Sequence, residues 1–354
     1  MTPADYSSIK NNMKALFIGG TGIISSAISR LAPSLGWEIY HLNRGNRKNE
    51  FPGVKQILCD ISKIRDGSEK PSMLREKLEK LLDGQKFDVV ADFISFVPEH
   101  LQTNFDIFNG LCRQFIFISS ASAYQKPLSS YTVTESTPLA NPFWEYSRNK
   151  IACEEFLMAK YRKEGFPVTI IRPSHTYDER SIPLGVHGQK GTWQVVKRMI
   201  EGKPVIIHGD GTSLWTLTHT NDFAAAFVRL MGNLHTIGEA VQITSDESIT
   251  WNQIYQIIAD AINVELNAVH IASSFLDKHS EGLYDFRGGL IGDKANTVVF
   301  DNTKLKRLAP EFTAKIRADE GLKMTITNVL KHPELQQEDI EFDNWCDRVI
   351  AKLQ

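Results

Sequence analysis

The chain has 354 residues, of which 42% are hydrophobic and 23% are charged, and its formal net charge at pH 7 is −2. This composition is typical of a globular protein, long enough for one large core or for a nucleotide-binding domain with a smaller one attached. The near-neutral charge disfavours general binding to nucleic-acid backbones, so no nucleic-acid partner is expected.

Cysteine spacing and hydropathy exclude further classes of protein. The four cysteines lie far apart in the sequence, so neither a zinc site nor a disulfide framework is expected. Residues 1–12 lack the apolar core of a signal peptide, and no apolar run reaches the roughly 18 residues of a membrane span. We therefore expect no membrane association and a cytoplasmic location.

Short apolar runs alternate with segments of helical periodicity through the first half of the chain. Residues 23–35 place Ile24, Ile28 and Leu31 at helical spacing behind the first run. Further helices are predicted at 73–82, 146–162, 193–201 and 251–262. The runs predicted to be strands are 15–18, 38–42, 56–59, 87–91, 114–119 and 168–171.

This alternation of strands and helices predicts an α/β fold with a Rossmann-type, doubly wound parallel sheet. Strands covered by helices on both faces are expected to be apolar along their length, as these runs are. We predict a dinucleotide-binding domain at residues 13–178. Residues 179–354 are predicted to form a smaller, mixed substrate-binding region, some of whose segments return to the main sheet. The last fifty residues look like a cap or peripheral structure and suggest no chemistry.

A glycine-rich turn, Gly-Gly-Thr-Gly at residues 19–22, lies between the first predicted strand and the first predicted helix. Glycines permit a tight turn and let backbone N–H groups approach a pyrophosphate, which the positive end of the helix also attracts. Ser25 stands where such turns often have a third glycine, and it is small enough to keep helix and strand close. The turn predicts a dinucleotide site, with a purely structural turn as the alternative.

The residues after the second and third strands bear on which dinucleotide binds. A carboxylate at the end of the second strand would bond the ribose of NAD, but Asn43 and Arg44 stand there. A guanidinium suits the 2′-phosphate of NADP, so NADP is favoured and NAD is the alternative. Arg47 and Lys48 follow closely, and a solvated basic turn fits the same pattern. Asp60 is placed to accept a hydrogen bond from the adenine amino group, or simply to cap a helix.

Tyr146 and Lys150 are four residues apart in a predicted helix, which puts a phenol and an ammonium on one face. A phenol with a pKa of about 10 is a poor base at neutral pH. A nearby ammonium, with an oxidised nicotinamide, is expected to lower the pKa of Tyr146 so that it exchanges a proton with a substrate hydroxyl. Ser120, at the end of the fifth strand, is predicted to hold the substrate oxygen, with Ser122 as a substitute. A chance surface pair is the alternative to catalysis.

Together these features resemble the extended short-chain dehydrogenase/reductase superfamily, in particular its NAD(P)-dependent epimerase/dehydratase family. The resemblance covers nearly the whole chain, and the combination of motifs is far more specific than any one of them. The motifs are Gly-Gly-Thr-Gly at 19–22, Asp60, Phe-Ile-Ser-Ser-Ala-Ser-Ala-Tyr at 117–124, Tyr-x-x-x-Lys at 146–150, Arg-Pro-Ser-His-Thr-Tyr at 172–177, and Gly-Asp-Gly at 209–211 with His-Thr-Asn-Asp at 219–222.

The resemblance implies roles for particular side chains. Ser120, Tyr146 and Lys150 would be catalytic, and Lys150 would also hold the nicotinamide ribose. The residues expected to bind the cofactor are Gly19, Thr21, Gly22, Ile23, Ile24, Asn43, Arg44, Asp60, Ile61, Phe93, Ile94, Ser95, Ser119, Tyr146, Lys150, Pro173 and Ser174. The candidates for contact with substrate are Ser122, His175, Tyr177, Trp215 and Arg287, although a structural role fits the lone histidine and tyrosine equally well. No metal is expected.

Three departures from the family pattern narrow the reaction. Dehydratases of the family have an acidic pair after the active-site Ser/Thr, whereas Ala121 and Ser122 stand here, which disfavours 4,6-dehydration. Trp215 stands where nucleotide-sugar enzymes usually have an arginine that holds the diphosphate. An indole instead stacks on a sugar or base, which disfavours a nucleotide-diphosphate sugar unless Arg287 or Lys190 compensates. The fourth strand ends Ala-Asp-Phe-Ile-Ser at 91–95, similar to atypical members that include chloroplast RNA-binding relatives.

The sequence therefore predicts an NAD(P)-dependent epimerase or oxidoreductase acting on a hydroxyl or ketone of a sugar or nucleotide sugar. An epimerase oxidises and re-reduces one carbon, whereas a reductase or dehydrogenase performs half of that cycle, and the residues named serve both. The family often dimerises, so a homodimer is compatible with this prediction. The alternative is a dinucleotide-bound regulatory or RNA-binding protein of the atypical short-chain dehydrogenase type.

Overall fold

The computed structural model describes residues 13–45 and 51–353. Its strands are β1 (Met13–Ile18), β2 (Trp37–Asn43), β3 (Lys55–Leu58), β4 (Val89–Asp92), β5 (Phe115–Ile118), β6 (Thr132–Val133), β7 (Val168–Pro173), β8 (His175–Tyr177), β9 (Val205–His208), β10 (Leu214–Trp215), β11 (Leu217–His219), β12 (Ala240–Ile243), β13 (Ile249–Thr250), β14 (Ala268–Ile271) and β15 (Val299–Phe300). Seven of them form one parallel sheet in the order β12-β7-β5-β4-β1-β2-β3. This sheet confirms the predicted Rossmann-type α/β fold.

Helices connect and cover the strands. They are α1 (Ile23–Leu31), α2 (Ile61–Arg65), α3 (Pro71–Leu82), α4 (Pro98–Phe108), α5 (Glu145–Glu164), α6 (Trp193–Ile200), α7 (Thr220–Leu230), α8 (Trp251–Ala261), α9 (Ser273–Lys278), α10 (Thr303–Leu308), α11 (Ala318–Lys331) and α12 (Ile340–Ala351), with a π-helix at Arg287–Lys294. The helix predicted over 23–35 ends at Leu31 and continues as a 3-10 turn, since Pro33 has no N–H for the α-helical ladder. In the part of the chain that the structure describes, none of the helices has the length and hydropathy that crossing a membrane requires.

The central strands of the main sheet are covered on both faces, which explains why they are largely apolar, whereas the edge strand β3 is partly exposed. Neighbouring residues of β1 point to opposite faces, so Leu16 and Phe17 enter different cores. Phe17 belongs to a core with Phe227 of α7, and Leu16 belongs to one with Leu157 of α5. Helices on both sides therefore hold the strand ends, and the loops that follow them, in fixed positions.

A third core lies in the second half of the chain. It contains Val196 of α6, Trp251 of α8, and Leu322 and Trp345 of the two C-terminal helices. Strand β12, which also comes from this half, pairs with β7 of the main sheet. Helices α10 to α12 contribute buried residues to these cores, so of the two structures predicted for the last fifty residues, a cap or a peripheral segment, the peripheral one is wrong.

Candidate active site

The glycine-rich turn after β1 has a different requirement at each glycine. Gly19 has φ +83°, and a Cβ there would meet the side chain of Ile94 at 2.4 Å. A Cβ on Gly20 would meet the His41 ring at 2.3 Å, whereas one on Gly22 would meet nothing closer than the Ser25 hydroxyl at 3.4 Å. The first two glycines are needed for packing, and the third leaves open surface at the start of α1.

Ser25 fixes this turn from inside the helix. The Gly22 N–H donates to Ser25 Oγ (2.9 Å), and the Ser25 hydroxyl donates to the Gly19 carbonyl (2.8 Å). The Ile23 and Ile24 N–H groups belong to the first turn of α1 and have no acceptor within the helix. An open backbone surface, exposed N–H groups and the positive helix end are what a pyrophosphate needs, so these residues fit a dinucleotide.

The ends of β2 and β3 continue this surface. Asn43 Oδ1 accepts from the Gly45 N–H (3.1 Å), and the Arg44 side chain is exposed. Asp60 caps α2, where its Oδ1 accepts from the backbone N–H (3.2 Å) and hydroxyl (2.6 Å) of Ser62. Asp60 therefore has the predicted capping role, and the contact with adenine stays a prediction.

Three further predicted residues follow these strands in the sequence: Arg47 and Lys48 come after β2, and Ile61 comes after β3. Arg47 and Lys48 lie outside the described residues. The Ile61 side chain is buried in the core beneath α2 and is therefore engaged in packing.

The turn after β4 is held by one buried carboxylate. Asp92 Oδ1 accepts from the backbone N–H groups of Ile94 (2.9 Å) and Ser95 (3.1 Å), and Asn104 donates to Asp92 Oδ2 (2.5 Å). The Ser95 hydroxyl accepts from Arg65 (2.8 Å), so its side chain is engaged within the protein. The Ser95 carbonyl is the atom that this turn presents to Lys150.

Lys150 is held by two strand ends. Its ammonium donates to the backbone carbonyls of Ser95 and Ile118, each at 2.8 Å, and lies 4.7 Å from the centre of the Phe96 ring. Burial lowers the pKa of Lys150 to about 8, although the nearby Asp92 charge acts in the opposite direction. The lysine therefore titrates close to physiological pH.

Tyr146 lies one turn before Lys150 on α5, between the rings of Trp144 and Phe96 (centroid distances 4.9 and 6.4 Å). Burial raises its pKa, while a hydrogen bond with the Ser120 hydroxyl acts to lower it. The Lys150 ammonium is 5.8 Å from the centre of the phenol ring. In the protein alone the pKa of Tyr146 is thus raised, because burial, with the nearby Asp293 charge, outweighs the hydrogen bond with Ser120. The predicted lowering also required the positive charge of an oxidised nicotinamide.

A chain of hydroxyl groups leads to Ser120. The Ser147 hydroxyl donates to Ser122 Oγ (2.8 Å), which lies 2.9 Å from Ser120 Oγ. Asn141 donates to the Ser122 carbonyl (2.8 Å) and fixes the short helical turn that follows Ser120. The hydroxyl predicted as a substitute for Ser120 is therefore its hydrogen-bond partner.

A buried ion pair lies beneath these groups. Glu154 of α5 is bonded to Arg172 of β7 through both carboxylate oxygens (2.6 and 3.0 Å). The Ser119 hydroxyl donates to the same carboxylate (2.5 Å). The side chain of Ser119, predicted to bind the cofactor, is thus engaged with Glu154.

A cavity of 370 Å³ lies at the carboxyl ends of the parallel strands and brings together most of the predicted site. The predicted residues that line it are Ile24, Phe93, Ser119, Ser120, Ser122, Tyr146, Lys150, Pro173, Ser174, His175 and Trp215. Its position is where ligands bind in open parallel sheets. The glycine turn and the ends of β2 and β3 lie along the same edge of the sheet, outside the cavity.

The family pattern of NAD dependent epimerases and dehydratases matches residues 15–244, which is well over half of the chain. The chain belongs to the NAD dependent epimerase/dehydratase family. This confirms the family resemblance drawn from the motifs.

The relatives of this family member include both a reductase and a stem-loop binding protein. It is 23% identical to 2′-dehydrokanamycin reductase of Streptomyces kanamyceticus, over 86% of this chain and 81% of the relative. It is 25% identical to the chloroplast stem-loop binding protein of 41 kDa b of Arabidopsis thaliana, over 80% and 72% of the two chains. The structure of dTDP-glucose 4,6-dehydratase from Bacillus anthracis in complex with NAD has a TM-score of 0.68 at 18% identity, covering 91% of this chain and 98% of that one. The structural likeness shows a shared fold.

Two predicted substrate contacts of this family member lie away from the cavity. Tyr177 is buried, with its ring edge-on to His219 (5.3 Å), and does not line the cavity. Arg287 is exposed, with its guanidinium 5.9 Å from the Phe143 ring, and Lys190 is exposed as well. Neither basic residue reaches the cavity wall, so neither compensates there for Trp215.

Trp215 lines the cavity but is largely engaged in the protein. Its ring stacks on Trp251 (5.5 Å), and its indole N–H donates to His175 Nδ1 (3.0 Å). Burial lowers the pKa of His175 to about 3. The neutral His175 ring accepts at Nδ1 and therefore carries its proton on Nε2, where it is a hydrogen-bond donor.

The cavity also has lining residues that sequence reasoning missed. They are Phe96, Lys126, Trp144, Asp293 and Lys294, among others. Lys126 follows the motif at 117–124 closely, and this proximity was the one sequence feature that could have indicated its place in the site. Asp293 and Lys294 come from the π-helix, more than 140 positions after Tyr146, and no local spacing connects them with the site.

Proposed function

We propose that the protein transfers hydride between NAD(P) and a secondary alcohol or ketone of a sugar, as an epimerase or a net oxidoreductase. The observation that carries this proposal is one cavity in which Ser120, Tyr146 and Lys150 meet Pro173 and Ser174 at the strand ends. The support from relatives is that sugar and nucleotide-sugar epimerases and reductases occur among them.

The side chains have distinct tasks in this proposal. When bound, the nicotinamide supplies the hydride acceptor or donor. Tyr146 takes the hydroxyl proton as the alcohol is oxidised and returns it in the reverse direction. Ser120 donates to the substrate oxygen, and its own oxygen is oriented by Ser122 and Ser147. Lys150 positions the ribose and stabilises negative charge on the phenol when its carbonyl partners release it.

The reaction is tested with a panel of sugars and keto-sugars, monitored by NAD(P)H absorbance. Net change in NAD(P)H identifies an oxidoreductase, whereas conversion of the sugar without such a change identifies an epimerase. Ala121 and Ser122 replace the acidic pair of the dehydratases, so 4,6-dehydration is not expected. A protein that binds NAD(P) but converts no member of the panel would instead support the regulatory or RNA-binding alternative, for which the stem-loop binding relative is the precedent.

Arg44 is expected to select NADP over NAD. Its exposed guanidinium follows β2, where a carboxylate would favour NAD. Arg44→Ala should weaken NADP binding by about tenfold, since a charge-assisted hydrogen bond is lost, and should leave NAD binding nearly unchanged. Fluorescence titration with both reduced cofactors measures this ratio. Equal loss of affinity for both would contradict the assignment.

Cofactor affinity is expected to fall as pH rises through about 8. Burial lowers the pKa of Lys150 to about 8, so the ammonium that would bond the ribose exists mainly below that pH. Titrations of cofactor binding from neutral to alkaline pH measure this dependence. Lys150→Met should bind more weakly and without this step, and an identical step in the variant would assign it to another group.

A further inference from the structure

Lys126 is a buried ammonium on the wall of the active-site cavity. The residue is 4% exposed, yet it lines the cavity together with Tyr146 and Ser120. Among the residues that the structure describes, its side chain has no hydrogen bond and no carboxylate within salt-bridge distance, and the charge that acts on it is Asp293. The side chain is thus buried while its ammonium is left to the cavity without a protein partner, an arrangement that favours an anionic partner inside the cavity.

Asp293 faces the same cavity from the π-helix. No hydrogen bond to its carboxylate occurs within the described part of the chain, and the two charges that act on it are Lys294 and Lys126. Its oxygens accept hydrogen bonds and are therefore suited to the hydroxyl groups of a sugar. The two unpaired groups define a polar wall in a cavity otherwise lined largely by aromatic and small side chains.

The balance of charge in the cavity is positive. Lys126, Lys150 and Lys294 line it, and Asp293 is the carboxylate among the lining residues. A low-dielectric cavity with excess positive charge attracts anions and disfavours cations such as amino sugars. The cavity volume of 370 Å³ is near the lower end for ligand sites, and the nicotinamide would share it. The remaining space suits one sugar ring more than a whole nucleotide sugar.

We propose that Lys126 binds an anionic substituent, a carboxylate or a phosphate, on a monosaccharide-sized substrate, while Asp293 accepts hydrogen bonds from its hydroxyl groups. This assignment rests on the proposed function, since it names the substrate class of the same cavity. It makes Lys126 a specificity-determining residue that does not take part in proton or hydride transfer.

The test is sugar binding to the protein saturated with NADP or NAD, measured by calorimetry. The probes are glucuronate, glucose 6-phosphate, glucose, glucosamine and UDP-glucose. We expect glucuronate or glucose 6-phosphate to bind at least about tenfold more tightly than glucose, and glucosamine to bind most weakly. The better of the two anionic probes identifies the carboxylate or the phosphate as the recognised group. Equal binding of glucose and both anions, or preference for glucosamine, overturns the proposal, as does UDP-glucose binding more tightly than either anion.

Lys126→Met keeps most of the length of the side chain and removes its charge. It should weaken anion binding at least about 30-fold, the lower end for removing one partner of a buried charge pair, and should change glucose binding little. Without ligand the variant should have a higher Tm than the wild type, because an unpaired buried charge is gone. Lys278→Met, an exposed control, should change neither property.

The outcomes separate this inference from the proposed function. Undiminished anion binding by Lys126→Met overturns the role of Lys126, even if sugar turnover continues. Cofactor binding with no binding of any probe also overturns it. If no cofactor binds, the proposed function fails, and the same sugar comparison without cofactor still decides the assignment of Lys126.

Discussion

Tyr146→Phe is expected to lower kcat by about 100-fold or more while cofactor binding is retained. The variant keeps the ring, with its neighbours Trp144 and Phe96, and removes only the hydroxyl that exchanges a proton with the substrate. General acid–base groups typically contribute 10²- to 10⁴-fold, so the loss should fall in that range. Turnover of the sugar identified by the panel measures it.

The matched control for this prediction is Tyr131→Phe. Tyr131 is 67% exposed and lies outside the cavity, so loss of its hydroxyl should leave kcat unchanged. Wild-type turnover in Tyr146→Phe would remove the basis for the proposed proton transfer. A variant that lost cofactor binding as well would instead indicate a role in holding the nicotinamide.

Arg172→Met is expected to destabilise the protein by about 3–5 kcal/mol, because it leaves the Glu154 carboxylate buried without its partner. The two side chains are 6% and 4% exposed and are joined by two hydrogen bonds. Glu154 lies one turn after Lys150 on α5, so the pair ties the helix that carries Tyr146 and Lys150 to β7. Urea denaturation measures the change in the free energy of unfolding.

Two further variants show whether an uncompensated charge causes this loss. Arg172→Met combined with Glu154→Gln removes the lone charge and should recover much of the stability. Arg348→Met breaks an exposed pair with Glu281 and should cost no more than about 1 kcal/mol. If Arg172→Met and Arg348→Met cost the same, the buried pair has no special role in stability.

The sequence predicted the sheet because strand periodicity is a local property, and local spacing also brought together the groups for which we propose proton transfer. Periodicity located the strands, and the spacing of Tyr146 and Lys150 placed them on one helical face. Local rules could not show what the Trp215 ring packs on. Its ring stacks on Trp251, and this contact joins segments that are distant in the sequence.

The direction of the Tyr146 pKa shift was equally beyond sequence reasoning. It depends on how deeply the phenol is buried and on the Asp293 charge, which tertiary structure brings near it. Lys126 and Asp293 meet through tertiary structure, and the π-helix that carries Asp293 has no periodicity that would identify it. Local patterns thus locate the groups proposed to react, and long-range folding determines what surrounds them.

The position of β12 at the edge of the main sheet affects how the protein is made. Its partner β7 ends at Pro173, so during synthesis the edge of β7 stays unpaired until residue 243 has left the ribosome. Unpaired edges of this kind favour association with other chains. The nascent protein therefore passes through an interval in which chaperone binding would protect it, before the final strand completes the sheet.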